Sequence, residues 1–224
     1  MQLTGYRVLF EGNNFQRLMS AVGQVISLSL ISLVIGLTLG IIIGIVRTSG
    51  NKIINFIFKI YLEVFRIVPL LVLLFVFYYI LPESFNHEVD NRQVAILVFV
   101  LWISAEMSDL VRSGIKSVPQ SQVDIGKSIG FSKFQLYYYV LIPQALRAIL
   151  PSVINLSTRV IKTTSLLMMI GVTELMRVGT QIIENYVVSE PTASLWVYGF
   201  IFFLYFILCY PLSKLAQYVQ RKAT

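Results

Sequence analysis

Two runs of this chain carry no charged residue, one between Arg17 and Arg47 and one between Glu190 and Lys214. A helix crosses the hydrocarbon core of a bilayer with roughly 20 apolar residues. Both runs exceed that length, so they predict the first and last of a set of spans, about 20–46 and 194–218. Three more apolar segments lie between them, about 53–81, 93–113 and 148–171, and each of these carries charge. The pattern predicts an all-α integral membrane protein with five transmembrane helices, residues 1–224 forming one transmembrane domain. In the first span Gly36, Gly40 and Gly44 recur every four residues, which puts small residues on one stripe where a neighbouring helix can come close. Pro69 lies mid-span and predicts a kink in the second helix. The aromatic cluster Phe75, Phe77, Tyr78 and Tyr79 falls near the outer interface, where such belts anchor a span.

Composition agrees with a membrane assignment. The chain is 56% hydrophobic and 13% charged, against about 25% charged residues in soluble domains. A net charge of +7 in a soluble protein would point to nucleic acid; in a membrane protein the position of the charges matters more than their sum. Arg47 and Lys52 form one positive group, Arg112 to Arg147 a second, and Lys214, Arg221 and Lys222 a third. Five spans place these three groups on one face, the cytoplasm, with the N-terminus outside and the C-terminus inside. The acidic stretch LPESFNHEVDNR and the region of Glu184 and Glu190 then lie outside. The first apolar run is too long for a cleavable signal core, so it is read as a retained span. One cysteine, Cys209, excludes a disulfide framework, and one histidine, His87, leaves no His-based metal site.

Residues 118–143 break the apolar pattern with Asp124, Lys127 and Lys133, two glycines and three tyrosines. The segment reads as two short helices and a turn on the cytoplasmic side. Ser121 is a candidate cap for the first helix, with Asp124 in its first turn. Gly130 ends that helix, Ser132 caps the next, and Pro143 marks the return to the membrane. A simple connection takes about 2–8 residues. The extra length is read either as a docking element for a soluble partner or as a solvated amphipathic connector.

The same stretch resembles the coupling motif of importer-type ABC permeases. Asp124, Ile125 and Gly126 stand at the Glu-Ala-Ala positions, Gly130 at the motif glycine, and Leu141-Ile142-Pro143 at the ending. Asp replaces Glu, and Ile-Gly replaces Ala-Ala. Further along, YLEVFRIVPLLV (61–72), SDLVRSGIKSVP (108–119) and IKTTSLLMMIGVTEL (161–175) resemble, in order, three signatures of the polar amino acid permeases. The resemblance implies the type I ABC importer fold and a permease subunit in a bacterial inner membrane. It implies as partners an ABC ATPase in two copies, a second permease, identical or a sister subunit, and an extracytoplasmic substrate-binding protein. ATP and Mg would be held by the ATPase, and no cofactor by this chain, which has no glycine-rich Lys-Ser/Thr phosphate loop. Asp124, Ile125, Gly126, Gly130 and Pro143 are the coupling residues so implied.

Five charges fall at hydrocarbon depth. Glu63 lies about 16 Å in from Lys52, with Arg66 a turn further on, and Arg159 and Lys162 lie about 18 and 22 Å in from Arg147. Glu106 is under two turns from Arg112. Such charges are expensive unless paired or hydrated, so they are expected to face the bundle interior. Glu63 and Arg66 are spaced to pair with each other, and Glu106 to answer Arg159 or Lys162. Either these are structural ion pairs or they form a substrate pathway, with Arg66 or Arg159 receiving a carboxylate and Glu63 or Glu106 an ammonium. Thr163, Thr164 and Ser165 add hydroxyls nearby. Glu106 stands where the family often has Tyr, and Thr163 where it often has Asp. A neutral polar amino acid such as glutamine is the first choice of substrate, with cystine, glutamate and arginine open.

Other classes use only part of this pattern. A membrane scaffold would need the docking loop but no buried charges. An ion-coupled carrier or channel working without ATP would need the charges but no docking loop. An enzyme is disfavoured, because the chain has no HExxH, no GxSxG and no paired catalytic histidines, so no catalytic residue is assigned.

Overall fold

Both charge-free runs become single long helices in the computed structural model, which describes residues 4–48, 51–84 and 88–223. His87 lies outside the described residues. Helix α1 covers Asn14–Val46. Helix α2 covers Lys52–Ile67, started by the Asn51 side chain, which accepts from the backbone N–H groups of Ile53 and Ile54. Helix α3 covers Leu70–Ser84 and contains a π-helical stretch, Val76–Ile80. Helix α4 covers Asn91–Ser117 and α5 the short Gln120–Ser128. Helix α6 runs from Lys133 to Ile170, with a π-helical stretch at Tyr137–Leu141 and a tighter 3-10 end at Thr164–Ile170. Helices α7, Leu175–Tyr186, and α8, Ala193–Ala223, complete the chain. No strand occurs among the described residues. Four helices are long and apolar enough to cross a membrane, or five spans if α2 and α3 count as one broken span.

Three expectations change here. The bend at Pro69 is a break: α2 ends at Ile67, Val68 adopts extended backbone with ψ 129°, and α3 starts afresh at Leu70. A residue before proline is pushed out of the helical region, and proline itself donates no hydrogen bond, so helix propagation fails twice in succession. Pro143 shows the opposite behaviour. It lies inside α6, which passes through it without interruption. The wide π turn just before it, Tyr137–Leu141, moves away the carbonyls that a proline ring meets in a regular helix. The second of the two expected short helices is therefore the start of the fourth span. Third, α5 begins at Gln120, so Ser121 lies within the helix and caps nothing; Pro119 occupies the cap position with no side-chain bond.

Backbone packing divides the chain into two units, each woven from three separated stretches. The first comprises Met1–Ser32, Leu71–Val98 and Thr158–Pro211. Its core gathers Val8, Leu18, Val25, Leu175, Ile182 and Val197, so α7 packs its apolar stripe on residues of α1 and α8. The second comprises Leu33–Leu70, Phe99–Ser157 and Leu212–Thr224. Here the glycine stripe of α1 meets α4. A Cβ on Gly36 would sit 2.7 Å from Cβ of Ile103, one on Gly40 2.5 Å from Cβ of Met107, and one on Gly44 2.6 Å from Cβ of Val111. Only glycine lets the two backbones come this close, as the four-residue spacing predicts.

Candidate functional site

Four charges of the second unit gather where the C-terminal ends of α1 and α2 meet the second half of α4. Arg47 follows the last turn of α1 and is 5% exposed; its Nη1 donates to Ser108 Oγ at 2.9 Å and lies 3.6 Å from Asp109 Oδ1. Arg66, in the last turn of α2, donates to Asp109 Oδ2 at 3.0 Å and has Glu106 Oε1 3.8 Å from its Nε. Asp109 therefore serves two arginines. Glu106 and Asp109 are three residues apart on α4, which puts both carboxylates on one face. The expected Glu63–Arg66 pair does not form: Glu63 instead meets Lys59 at 3.6 Å one turn earlier, and both are more than half exposed on this chain. The i, i+4 spacing of Lys59 and Glu63 offered a competing partner that the short-range reading passed over. Asp109, which holds both arginines, is not among the residues singled out from the sequence. Next to this cluster Tyr61 donates to the Leu101 carbonyl and contacts Ser104 Oγ, both at 2.6 Å.

The residues expected to couple to a partner form a corner in the same unit. Gly130 stops α5 with φ +86°, a left-handed conformation that favours glycine. The N–H groups of Gly130 and Phe131 close on the carbonyls of Lys127 and Gly126. Ser132 and Gln135 then form a reciprocal capping box that starts α6. Gly126 is buried, and a Cβ there would sit 2.6 Å from the tip of Leu136. That contact fixes the two helices against each other. The opposite face is open: Ile125, Ile129, Phe134, Tyr138 and Tyr139 are all more than half exposed. The rings of Phe134 and Tyr138 stack with centroids 6.0 Å apart, and those of Tyr138 and Tyr139 meet edge to face at 4.9 Å. Asp124 on α5 and Pro143, further along α6, are also exposed.

The first unit holds Arg159, Lys162, Thr163, Thr164 and Ser165 on the last turns of α6. Arg159 and Lys162 are exposed. The hydroxyls turn back onto their own helix: Thr163 donates to the Arg159 carbonyl at 2.8 Å, and Ser165 to the Lys162 carbonyl at 2.9 Å. Thr164 is buried and also meets the Tyr205 hydroxyl at 3.3 Å. Elsewhere in this unit a polar recess of about 680 Å³ is lined by Arg17, Gln24, Asp90, Arg92 and Gln181 among others. Arg17 donates to Gln181 at 2.7 Å, and Arg92 to Gln24 and Ser27 at 3.0 Å each.

Comparison with known proteins decides the class. Residues 36–223 match the family described as binding-protein-dependent transport system inner membrane component. The chain belongs to that family. It is 31% identical over 201 residues to the L-cystine transport system permease protein TcyB of Bacillus subtilis (strain 168), covering 88% of this chain and 82% of that one. It is 28% identical to the probable glutamine ABC transporter permease protein GlnM of the same organism, over 96% of both chains. Its fold matches a crystal structure of an amino acid ABC transporter with histidines, with TM-score 0.83 and 26% identity, over 93% of this chain and 94% of that one. The all-α fold of the type I ABC importer permease kind is thereby established, with multi-pass insertion in the inner membrane. As a transport component, this permease is not an enzyme.

Within the permease, one buried group escaped the sequence reading. Glu174 is fully buried and caps α7, its carboxylate accepting from the backbone N–H groups of Met176 at 2.8 Å and Arg177 at 2.7 Å. The Tyr205 hydroxyl of α8 donates to it at 3.3 Å. Burial pushes the Glu174 carboxyl up to about 7, against the opposing pull of these three donors. The signal was present: Glu174 stands just before an apolar stripe, Leu175, Val178, Gly179 and Ile182, with the spacing of one helix face.

Proposed function

We propose that this permease is the membrane subunit of an ATP-driven importer for a polar amino acid, with glutamine or another neutral polar amino acid as first choice. The observation that carries the coupling half of this reading is the open apolar corner of α5 and α6. It is held rigid by a glycine stop, a capping box and the Gly126–Leu136 contact. An exposed aromatic and aliphatic surface on so well fastened a corner suits docking better than solvation. Its partner is an ABC ATPase, two copies per transporter, which holds ATP and Mg. A second permease, identical or a sister subunit, completes the membrane part, and an extracytoplasmic binding protein delivers the amino acid. The positive groups near Arg47, Arg112 and Lys214 face the cytoplasm, with the N-terminus outside.

For the pathway, Arg159 is the carboxylate receptor of the first unit, with Lys162, Thr163, Thr164 and Ser165 on the same turns. In the second unit Glu63 and Glu106 are the acidic groups proposed for an ammonium, Glu106 while also facing Arg66 Nε at 3.8 Å, and Arg66 donates to Asp109. Relatives that carry cystine and glutamine support a zwitterionic substrate. A carrier or channel without ATP leaves the α5–α6 corner unexplained.

Two variants test the reading in proteoliposomes containing the complete transporter and its binding protein. Ile129→Asp is expected to abolish co-purification of the ATPase and with it uptake, while the permease still inserts. Arg159→Gln is expected to keep ATPase binding and lose uptake of labelled glutamine. Full uptake by Arg159→Gln would overturn the pathway assignment, and an ATPase retained by Ile129→Asp would overturn the docking surface.

A further inference from the structure

A recess of about 440 Å³ opens in the second unit beside the charge cluster, within the size range of small-molecule sites. Arg47, Thr48, Asn55, Arg112, Lys116 and Tyr137 give it a polar wall, and no carboxylate lines it. Its donors are incompletely used. Nε of Arg47 and Nε of Arg112 are both buried without a hydrogen-bond partner among the described residues; the acceptor Oδ1 of Asn55 is also without one. Arg47 is itself 95% buried, since 5% of its side chain is exposed. A buried guanidinium with an idle N–H is costly unless something accepts from it.

The charge balance points the same way. Asp109 and Glu106 answer Arg47 and Arg66, as described above. Arg112 and Lys116 have no carboxylate within 4 Å among the described residues. Burial, then the neighbouring charge of Arg112, weakens the hold of Arg47 on its proton, so the recess favours an added negative charge. The position is interfacial. Arg47 directly follows the α1 span, and Arg112 and Lys116 lie in the last two turns of α4. Ile115 and Leu141 line the recess too, and suit a ligand with an apolar part.

We propose that this recess binds the phosphate of an anionic phospholipid head group, with Arg47, Arg112 and Lys116 as its cations. Guanidinium forks match phosphate oxygens, and basic pockets between helices at a membrane surface are suited to acidic lipid heads. Arg47 holds the ligand on its buried side, while Lys116, exposed, closes the site from the rim. Tyr137, which donates to Thr48 Oγ1 at 3.0 Å, ties the start of α6 to the same wall. A bound lipid therefore touches both the end of a span and the coupling corner. The proposal holds whatever amino acid is carried.

The test uses the assembled transporter, ATPase included, after delipidation. Native mass spectrometry measures its affinity for phosphatidylglycerol and for phosphatidylcholine. Wild type is expected to bind phosphatidylglycerol at least about tenfold tighter, since each cation near a lipid phosphate contributes roughly a factor of five. Arg112→Gln and Lys116→Gln are each expected to reduce phosphatidylglycerol affinity about fivefold and to change phosphatidylcholine, whose phosphate is already balanced by its own choline, by less. If Arg112→Gln does not assemble, Lys116→Gln, at an exposed position, decides alone. Equal binding of the two lipids, or unchanged phosphatidylglycerol affinity in the variants, overturns the proposal. So does displacement of phosphatidylglycerol by inorganic phosphate that stabilises the lipid-free complex through the same residues. That outcome would assign the recess to a soluble anion.

Discussion

In the second unit a carboxylate stands between arginines: Asp109 lies 3.0 Å from Arg66 and 3.6 Å from Arg47. At the polar recess of the first unit two arginines meet neutral groups instead, Arg17 on Gln181, and Arg92 on Gln24 and Ser27. An amide or hydroxyl satisfies the donor but leaves its charge uncancelled. A shared carboxylate cancels charge and makes two helices depend on one side chain. The first unit thus keeps positive potential around its polar recess, moderated by Asp90, and its contacts can be exchanged for water at small cost. The second unit is tied by charges that have no such substitute, because Arg47 is almost wholly buried.

Removing Asp109 breaks this contrast most severely. Asp109→Asn leaves Arg47 buried beside no acid, and is expected to destabilise the permease by about 3–5 kcal/mol, seen as a large fall in melting temperature in detergent. A companion change, Arg47→Met, is expected to recover part of the loss. Next comes pH, acting through Glu174 in the first unit. Its carboxyl titrates near 7 when folded and near 4.5 when unfolded, so the unfolded chain releases this proton first as pH rises. Stability from this group is therefore full below pH 4.5 and declines as pH climbs to about 7, by about 3 kcal/mol in all. Melting curves across that window are expected to lose this slope in Glu174→Gln. Gln181→Leu, which strips Arg17 of its neutral acceptor, is expected to cost less, about 1.5–3 kcal/mol. A loss as large as that of Asp109→Asn would erase the distinction between the units. The smallest effect is expected for Lys59→Gln, about 0.3–0.5 kcal/mol, because the Lys59–Glu63 pair is exposed and spaced i, i+4. A larger loss of uptake than of stability there would sharpen the case for Glu63 in the pathway.

The uninterrupted spans were legible because a charge-free run has only one use in a bilayer. The glycine stripe was legible for a similar reason: three glycines four apart leave one face on which a helix can approach closely. The prolines were read less well. Pro69 and Pro143 look alike in sequence, yet one breaks a helix and the other sits within one, because the turn preceding Pro143 has widened. Pairing of charges was legible in kind and wrong in detail. Spacing shows which residues are able to meet along one helix, as with Glu63 and Arg66. It does not reveal that Arg66 finds Asp109 on another helix, 43 residues away. Helix α7 was missed because at 12 residues it is too short to read as a span and carries charge, although its apolar stripe is regular.

The glycine contacts settle a matter of parity. Gly36, Gly40 and Gly44 meet Ile103, Met107 and Val111, so both helices advance by four residues in the same sense. Helices α1 and α4 therefore run parallel. Two spans that point the same way need an odd number of crossings between them, or the chain would enter the second from the wrong side. Among the described residues only α2 and α3 lie between. Counted as one broken span, they supply the single crossing that parity asks for and bring the count of spans to five. Arg47 and Arg112, each at the trailing end of a parallel helix, are thereby delivered to the same membrane surface.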